Sequence, residues 1–520
     1  MQNNKKVVII WAGFGGLGSA ILMAKKWYDV TVIEKNDKPG GRANLLEANG
    51  YKRDMWPSRY LMPDAFEKYF SAIGENISDH FELQKLSPSY RVFFKWEKTE
   101  WDKSDNSDSI TKSQMIDIYS DIDKAAETFE SIEIWAGDQL RKYLKSAEYQ
   151  YNIAMNQFVY KNFDSIWDFM DPKLGIEWLK LNIFTTLYNY VSKFVKDERL
   201  KKILMYPSVF LGTSPYKTPA LFNIMSHVDF NQWVFYPKWW IHEIIKSLEK
   251  IAIKAWVKFL YDSQVEKIDV ADGKAKGIYI KNKSENSVSI NDNIYIPADI
   301  VISNADMHHT ETKLLDSKFQ SYPESYRAKK VISPSWFILY LWVDGKLPQL
   351  QHHTLIFNHD WKKWFAEVFQ NPIRPTDPSY YICNPSKTDP STAPEGKENL
   401  FLLVPIAPWL EYSDDILAKY ADFMIDDISR ACDIPDLRSR IQFQQIFSLP
   451  QFESYYNAYK WTALWLAHTF FQSAIRRPAN YSKKVKWLYY AGGYTTPGIG
   501  MPMCLISAMM VADRIDKNDK

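Results

Sequence analysis

The chain has 520 residues, 46% of them apolar and 24% charged, with a net charge of +2. With so even a balance nothing points to nucleic acid, whose binding needs a basic stripe or face, and the length points to several domains or one large discontinuous enzyme. Cys383, Cys432 and Cys504 form no C-x-x-C pair, no zinc spacing and no even disulfide framework, which points to a reducing compartment.

In chain order, Met1 to Lys6 is polar, and the apolar run Val7 to Ile10 is too short for a signal-peptide core. No stretch reaches the roughly 18 uncharged apolar residues that suggest a spanning helix, so membrane contact is expected to be peripheral. Val7 to Ile10 reads as a short buried strand. A turn containing Gly13, Gly15, Gly16 and Gly18 follows, then a helix over Ser19 to Lys26 and a second buried strand over Val30 to Ile33, closed by Glu34. Residues 103–113 read as an exposed loop. From about 110 to 230 the pattern is helical and aromatic, with Ile183, Phe184, Leu187, Tyr188, Val191, Phe194 and Val195 on one helical face. That face, ringed by Lys180, Lys193 and Lys196, has two readings: a surface dipping into the lipid boundary, or a lid helix packed on the core. Strands are expected again near 256–303, around a charged hairpin-like segment. A Pro-rich loop over 384–398 leads into a strand, Leu400 to Val404. A final strand and Gly-rich turn precede an apolar helix from about Pro502 to Ile515.

The first βαβ unit carries a dinucleotide pattern. Such a site needs a tight turn after the strand, backbone close to the pyrophosphate, and a helix N-terminus facing the negative charge. Ile10-Trp11-Ala12-Gly13-Phe14-Gly15-Gly16-Leu17-Gly18 supplies these, except that Trp11 stands where the first glycine belongs. Glu34 ends the second strand at the distance expected of an acid that accepts a ribose hydroxyl.

Beyond Glu34 comes a short spacer and then Gly40-Gly41-Arg42, which resembles the flavoproteins of the amine oxidase and phytoene desaturase type. Three further stretches narrow the resemblance to the phytoene desaturase family: Asp54 to Pro63, Asp389 to Lys397 and Thr496 to Pro502. Tyr236-Pro237-Lys238-Trp239-Trp240 resembles that family's Tyr-Pro-x-Gly-Gly, and Tyr456-Asn457-Ala458 and Arg476-Arg477-Pro478 also match. The resemblance implies an α/β fold: a discontinuous Rossmann-like FAD domain over 1–80, 228–310 and 455–520, and a mixed-sheet substrate domain with a helical membrane-facing part over 81–227 and 311–454. It implies FAD contacts at Trp11 (a glycine position), Gly13, Phe14, Gly15, Gly16, Glu34, Gly41, Arg42, Val265, Gly492, Gly493, Gly500 and Met501. It also implies a cytoplasmic enzyme peripherally attached to a membrane. The implied reaction removes two hydrogens from a linear polyene such as phytoene or diapophytoene, with hydride passing to flavin N5 and quinone or oxygen as final acceptor. A delocalised allylic cation needs no strong base, so no catalytic acid or base is assigned. The family often has His where this chain has Thr496, which leaves the substrate subtype open. Alternatives on the same scaffold are end-group oxidation, polyene isomerisation and retinoid saturation. An amine oxidase and a non-catalytic flavin-binding protein are readings of other classes. His227, His242, His308, His309 and His468 read as structural or surface residues rather than catalytic ones, and no metal site is expected.

Composition adds an anomaly. Glycine is 19 of 520, where an average near 7% would give roughly 36, and tryptophan is 20. Sixteen tryptophans stand where the family or simple turn chemistry wants glycine: Trp11, Trp27, Trp56, Trp96, Trp135, Trp178, Trp233, Trp239, Trp240, Trp256, Trp342, Trp364, Trp409, Trp461, Trp465 and Trp487. Arg53, Arg59 and Arg327 stand where the family tends to have an aromatic residue. Some bacteria read UGA as glycine and some related ones read certain CGN codons as tryptophan. Translating such a gene with another code would write this pattern.

Overall fold

The computed structural model describes residues 5–95, 114–163, 182, 184–281, 293–473 and 476–519. Strand β1 (Lys6–Ile10), helix α1 (Phe14–Lys25) and strand β2 (Asp29–Ile33) open a five-stranded parallel sheet. β1 lies between β2 and Ile300–Ser303; Leu488–Tyr490 and Lys258–Leu260 form the two edges. Val7 to Ile10 are all buried, as a parallel sheet covered on both faces requires.

α1 begins earlier than the sequence reading placed it, because Gly15, Gly16 and Gly18 belong to its first turns rather than to a preceding loop. The reason is steric. A Cβ on Gly16 would sit 2.0 Å from the Trp11 carbonyl oxygen, and one on Gly15 would sit 2.8 Å from the Gly492 amide nitrogen. On the other side, Gly18 faces Leu505 and Ala508 of the C-terminal helix Met501–Asp519, which packs along α1.

The second large sheet has seven strands and is mixed. Ser335–Val343, fully buried and one strand in from the edge, pairs antiparallel with Glu398–Ile406 and with the edge strand Ile441–Phe447. His353–Phe357 pairs parallel with Tyr90–Phe94, and Gln114–Ile118 closes the far edge. That last strand lies in the region read as helical and aromatic, and it pairs with Tyr90–Phe94, more than a dozen residues away in sequence. Of the helical face offered either as membrane-dipping or as a lid packed on the core, Leu187, Val191 and Val195 are buried in the core beneath this sheet, with Tyr188 and Phe194 against it. Phe184 is exposed. Ile183, Lys180, the 103–113 loop and the charged segment 282–292 lie outside the described residues, as do Trp96 and Trp178.

Three motifs distant in sequence meet at residues 236–242. Asp389 accepts from Trp239 N (3.2 Å) and Tyr236 OH (3.3 Å), and Asp54 accepts from Ile241 N and His242 N, each at 2.9 Å. Burial pushes Asp54 from 3.8 up to about 7, against those two hydrogen bonds. A carboxyl with a raised folded pKa holds its proton more tightly in the native state, so its contribution to stability falls as pH rises between those two values. The chain is therefore expected to lose stability from pH 4 to 7 relative to Asp54→Asn, by up to about 4 kcal/mol. Thermal melts of both proteins across that window check this, and identical pH slopes would rule it out.

Candidate active site

One cavity of about 910 Å³ runs from the α1 turn into the space between the two sheets. Its first end is the dinucleotide cradle. Trp11, Gly13, Phe14, Gly15, Glu34, Gly41 and Arg42 line it, as do Gly493, Gly500 and Met501. The N-termini of α1 and of the C-terminal helix thus both open onto the cavity, each with unpaired first-turn amides suited to electron-rich groups. Three expected contacts are not brought to the wall. Gly16 is buried inside α1 and Gly492 sits behind it, where both permit the close approach described above. The Val265 side chain turns into the apolar core with Ile33, Ile268 and Val301, because its strand covers the sheet there.

Glu34 is 2% exposed. Its Oε2 accepts from Ala12 N at 2.8 Å, and its Oε1 accepts from Asn36 N and Nδ2. Burial raises its pKa above the ordinary carboxylate value, against those hydrogen bonds. Arg42 donates from Nη2 to Tyr494 OH at 2.6 Å and is flanked by the rings of Tyr456 and Tyr494, while its buried Nε has no hydrogen-bond partner. An unpaired guanidinium N–H beside a glycine cradle and two helix N-termini fits a dinucleotide diphosphate. Trp11 does not fit. It takes φ 75°, and its indole lines the cradle with Lys35 Nζ 5.2 Å from the ring and His309 stacked on it.

The second end of the cavity is apolar and aromatic. Met62, Met155, Phe210, Leu221, Val228, Trp336, Leu355, Phe357 and Trp364 line it, drawn from the seven-stranded sheet and the helices and turns around it. Glu34 is the only carboxylate among the described lining residues. His468, read from sequence as structural, also lines it. Gly498 (φ 149°) leaves room for that imidazole, since a Cβ there would lie 2.5 Å from Nε2. Burial, with Arg477 beside it, holds His468 neutral. Arg477 itself donates to the Gly493 carbonyl at 2.9 Å, tying the Arg-Arg-Pro motif to the C-terminal turn.

Sequence reasoning also missed a buried trio. His352, His353 and Cys383 place one ligand atom each within 4.8 Å of one another. Their Nδ1 atoms bond Thr388 Oγ1 and Tyr381 OH, each at 2.7 Å, and both Nε2 atoms are unpartnered. Only the cross-strand register His353↔Cys383 brings them together. Burial lowers His352 to about 3 and raises Cys383 to about 12, so both stay uncharged.

The fold has known counterparts. An oxidoreductase from Methanosarcina mazei superposes with a TM-score of 0.64 at 18% identity, over 98% of this chain and 100% of that one. A carotenoid 3,4-desaturase of Haloarcula japonica is 38% identical over 99% of this chain and 98% of its own length. A zeta-carotene-forming phytoene desaturase of Myxococcus xanthus is 30% identical over 98% and 94%. The model of the flavin containing amine oxidoreductase family matches residues 14–516. Glycine cradle, acid and flanked arginine at one end of an apolar cavity therefore belong to an FAD-dependent oxidoreductase, and the chain is a member of the flavin-containing amine oxidoreductases, within their carotenoid desaturase family.

Proposed function

We propose that this enzyme dehydrogenates a linear carotenoid precursor such as phytoene or diapophytoene. The observation that carries the reading is the continuity of the cavity: the dinucleotide cradle leads directly into an apolar, aromatic channel. When bound, FAD supplies the hydride acceptor at N5. Residues 1–80, 228–310 and 455–520 are taken as the part that holds it; the glycine turn and Arg42 face its diphosphate, and Glu34 its ribose. The rest of the chain shapes the channel, which keeps the polyene dry and in line. With Glu34 at the nucleotide end, the channel presents a lipophilic substrate with no carboxylate among the described residues, in keeping with loss of a proton from a delocalised cation.

The same reading places the enzyme peripherally at a cytoplasmic membrane surface. The exposed Phe471, with the exposed cations Lys161, Arg476 and Lys483, lines the open end of the cavity. This suits an anionic bilayer from which an apolar chain enters. No described helix is long and apolar enough to cross a membrane. The electron acceptor is taken to be quinone or oxygen.

Protein carrying glycine at the turn positions, mixed with anionic liposomes containing phytoene or diapophytoene, is expected to float with the vesicles. It should generate products with additional conjugated double bonds, seen as red-shifted absorption bands. An end-group oxidation product formed only from a coloured carotene would overturn the desaturation reading, and hydrogen peroxide release with amines would point to the amine-oxidising alternative. FAD-loaded protein that stays in the soluble fraction would count against membrane docking.

A further inference from the structure

Eleven tryptophans take φ between 59° and 82°: Trp11, Trp27, Trp135, Trp233, Trp239, Trp240, Trp256, Trp409, Trp461, Trp465 and Trp487. This is the left-handed region, which bulky L-residues avoid because Cβ meets the neighbouring carbonyl. The chain has 29 Phe and 32 Tyr, and among the described residues none of them has a positive φ. The other non-glycine residues found there are Asn and Asp, which tolerate the region, together with Met62 and Lys460. Aromatic character therefore does not explain the tryptophans.

Two of the eleven occupy the position that ends a helix with a glycine. After α1, Trp27 N bonds the Ala24 carbonyl and Tyr28 N bonds the Met23 carbonyl. After His242–Lys254, Trp256 N bonds the Ile253 carbonyl and Val257 N bonds the Ala252 carbonyl. Both are the paired hydrogen bonds of a Schellman turn, with tryptophan at the left-handed residue where glycine is the usual occupant. The indoles gain nothing in exchange: Trp27 is 69% and Trp256 89% exposed. Trp11 differs in place, since it lines the dinucleotide cradle, its ring stacked on His309.

Arg53, Arg59 and Arg327 show the reverse misfit. They are 2%, 8% and 2% exposed, and each leaves at least two guanidinium nitrogens without a hydrogen-bond partner: Nε and Nη2 of Arg53 and Arg59, and all three of Arg327. Buried guanidinium groups are normally paired. Arg53 and Arg59 have partners at Nη1 alone (the Leu400 carbonyl for Arg53, Tyr206 OH and Asp229 for Arg59), and both lie among aromatic rings: Arg53 4.7 Å from the Tyr340 ring centre and Arg59 5.0 Å from that of Tyr90. Trp56, Trp342 and Trp364 differ from the eleven. Their backbone is ordinary, Trp342 and Trp364 lie within a strand and a helix, and Trp342 stacks on Tyr51 and Phe443.

We propose that the polypeptide made in its own cell carries glycine at the eleven left-handed positions and tryptophan at 53, 59 and 327, its gene being decoded with UGA as glycine and certain CGN codons as tryptophan. The eleven glycines remove the backbone misfit. Glycine at 11 opens the cradle over Glu34, and tryptophan at 59 turns that stretch of the channel wall from cationic to aromatic. The inference rests on backbone geometry and burial, so it holds whatever the substrate is.

The test is peptide mass spectrometry on protein purified from the source organism, set beside the codons of its gene. Peptides spanning 27, 256 and 239–240 are expected to be lighter by one tryptophan-to-glycine difference per position, over UGA codons. Peptides spanning 53, 59 and 327 should carry tryptophan over CGN codons. Tryptophan in the first set, or ordinary UGG codons there, overturns the glycine assignment. Arginine in the second set overturns the tryptophan assignment.

Discussion

A gene rewritten to encode glycine at the eleven left-handed positions and tryptophan at 53, 59 and 327 should yield soluble, yellow protein, while the chain as written should accumulate as insoluble, flavin-free material. A left-handed backbone costs a bulky residue about 1–2 kcal/mol. Over eleven positions the strain is on the order of 10–20 kcal/mol, comparable with the whole stability of a typical domain, roughly 5–15 kcal/mol. Each guanidinium nitrogen left buried without a partner on Arg53, Arg59 and Arg327 adds to the deficit. The comparison is made by soluble yield, flavin absorbance and thermal melting of the two proteins. A third protein, restored everywhere except Trp11, separates folding from cofactor binding: it should melt cooperatively yet bind flavin poorly, because Trp11 lines the cradle at a position where the diphosphate needs a glycine. If the chain as written folds and binds FAD as well as the rewritten one, the backbone argument fails.

Arg42→Ala, made in the rewritten chain, is expected to weaken FAD binding about 10- to 150-fold, the equivalent of one charge-assisted hydrogen bond at roughly 1.5–3 kcal/mol. The guanidinium is buried between Tyr456 and Tyr494 with its Nε unpaired, so it is already ordered before any anion arrives. Arg42→Lys should recover only part of the loss, since an ammonium cannot present the planar fork. Flavin fluorescence on release gives the affinity, and melting of the flavin-free proteins reports on structure. A loss of FAD affinity smaller than about threefold in Arg42→Ala would remove Arg42 from the diphosphate site.

Much of the first βαβ unit was legible from local pattern. Val7 to Ile10, the glycine run and Glu34 each carry a signal over a few residues, because a parallel strand, a tight turn and a helix start are local in sequence. The start of α1 was misplaced because glycine reads as turn, whereas here it is chosen for contact with Trp11 and with Gly492, which lies far beyond any local window. Val265 was assigned by analogy to the cofactor, but its strand register directs it into the core. The strand Gln114–Ile118 and the trio His352, His353 and Cys383 depend on pairings between distant segments, which leave no periodicity to find.

By itself, the sequence determined the family, the dinucleotide turn with its acid and arginine, and the suspicion that many tryptophans stand at glycine positions. These are matters of residue type and short spacing. Only the tertiary structure decided that the helical face around Leu187 packs inward, that the cradle and the apolar channel form one cavity, and which tryptophans are at odds with their backbone. Burial, continuity of a cavity and the sign of φ are set by how the chain closes on itself, and no local run of residues contains them.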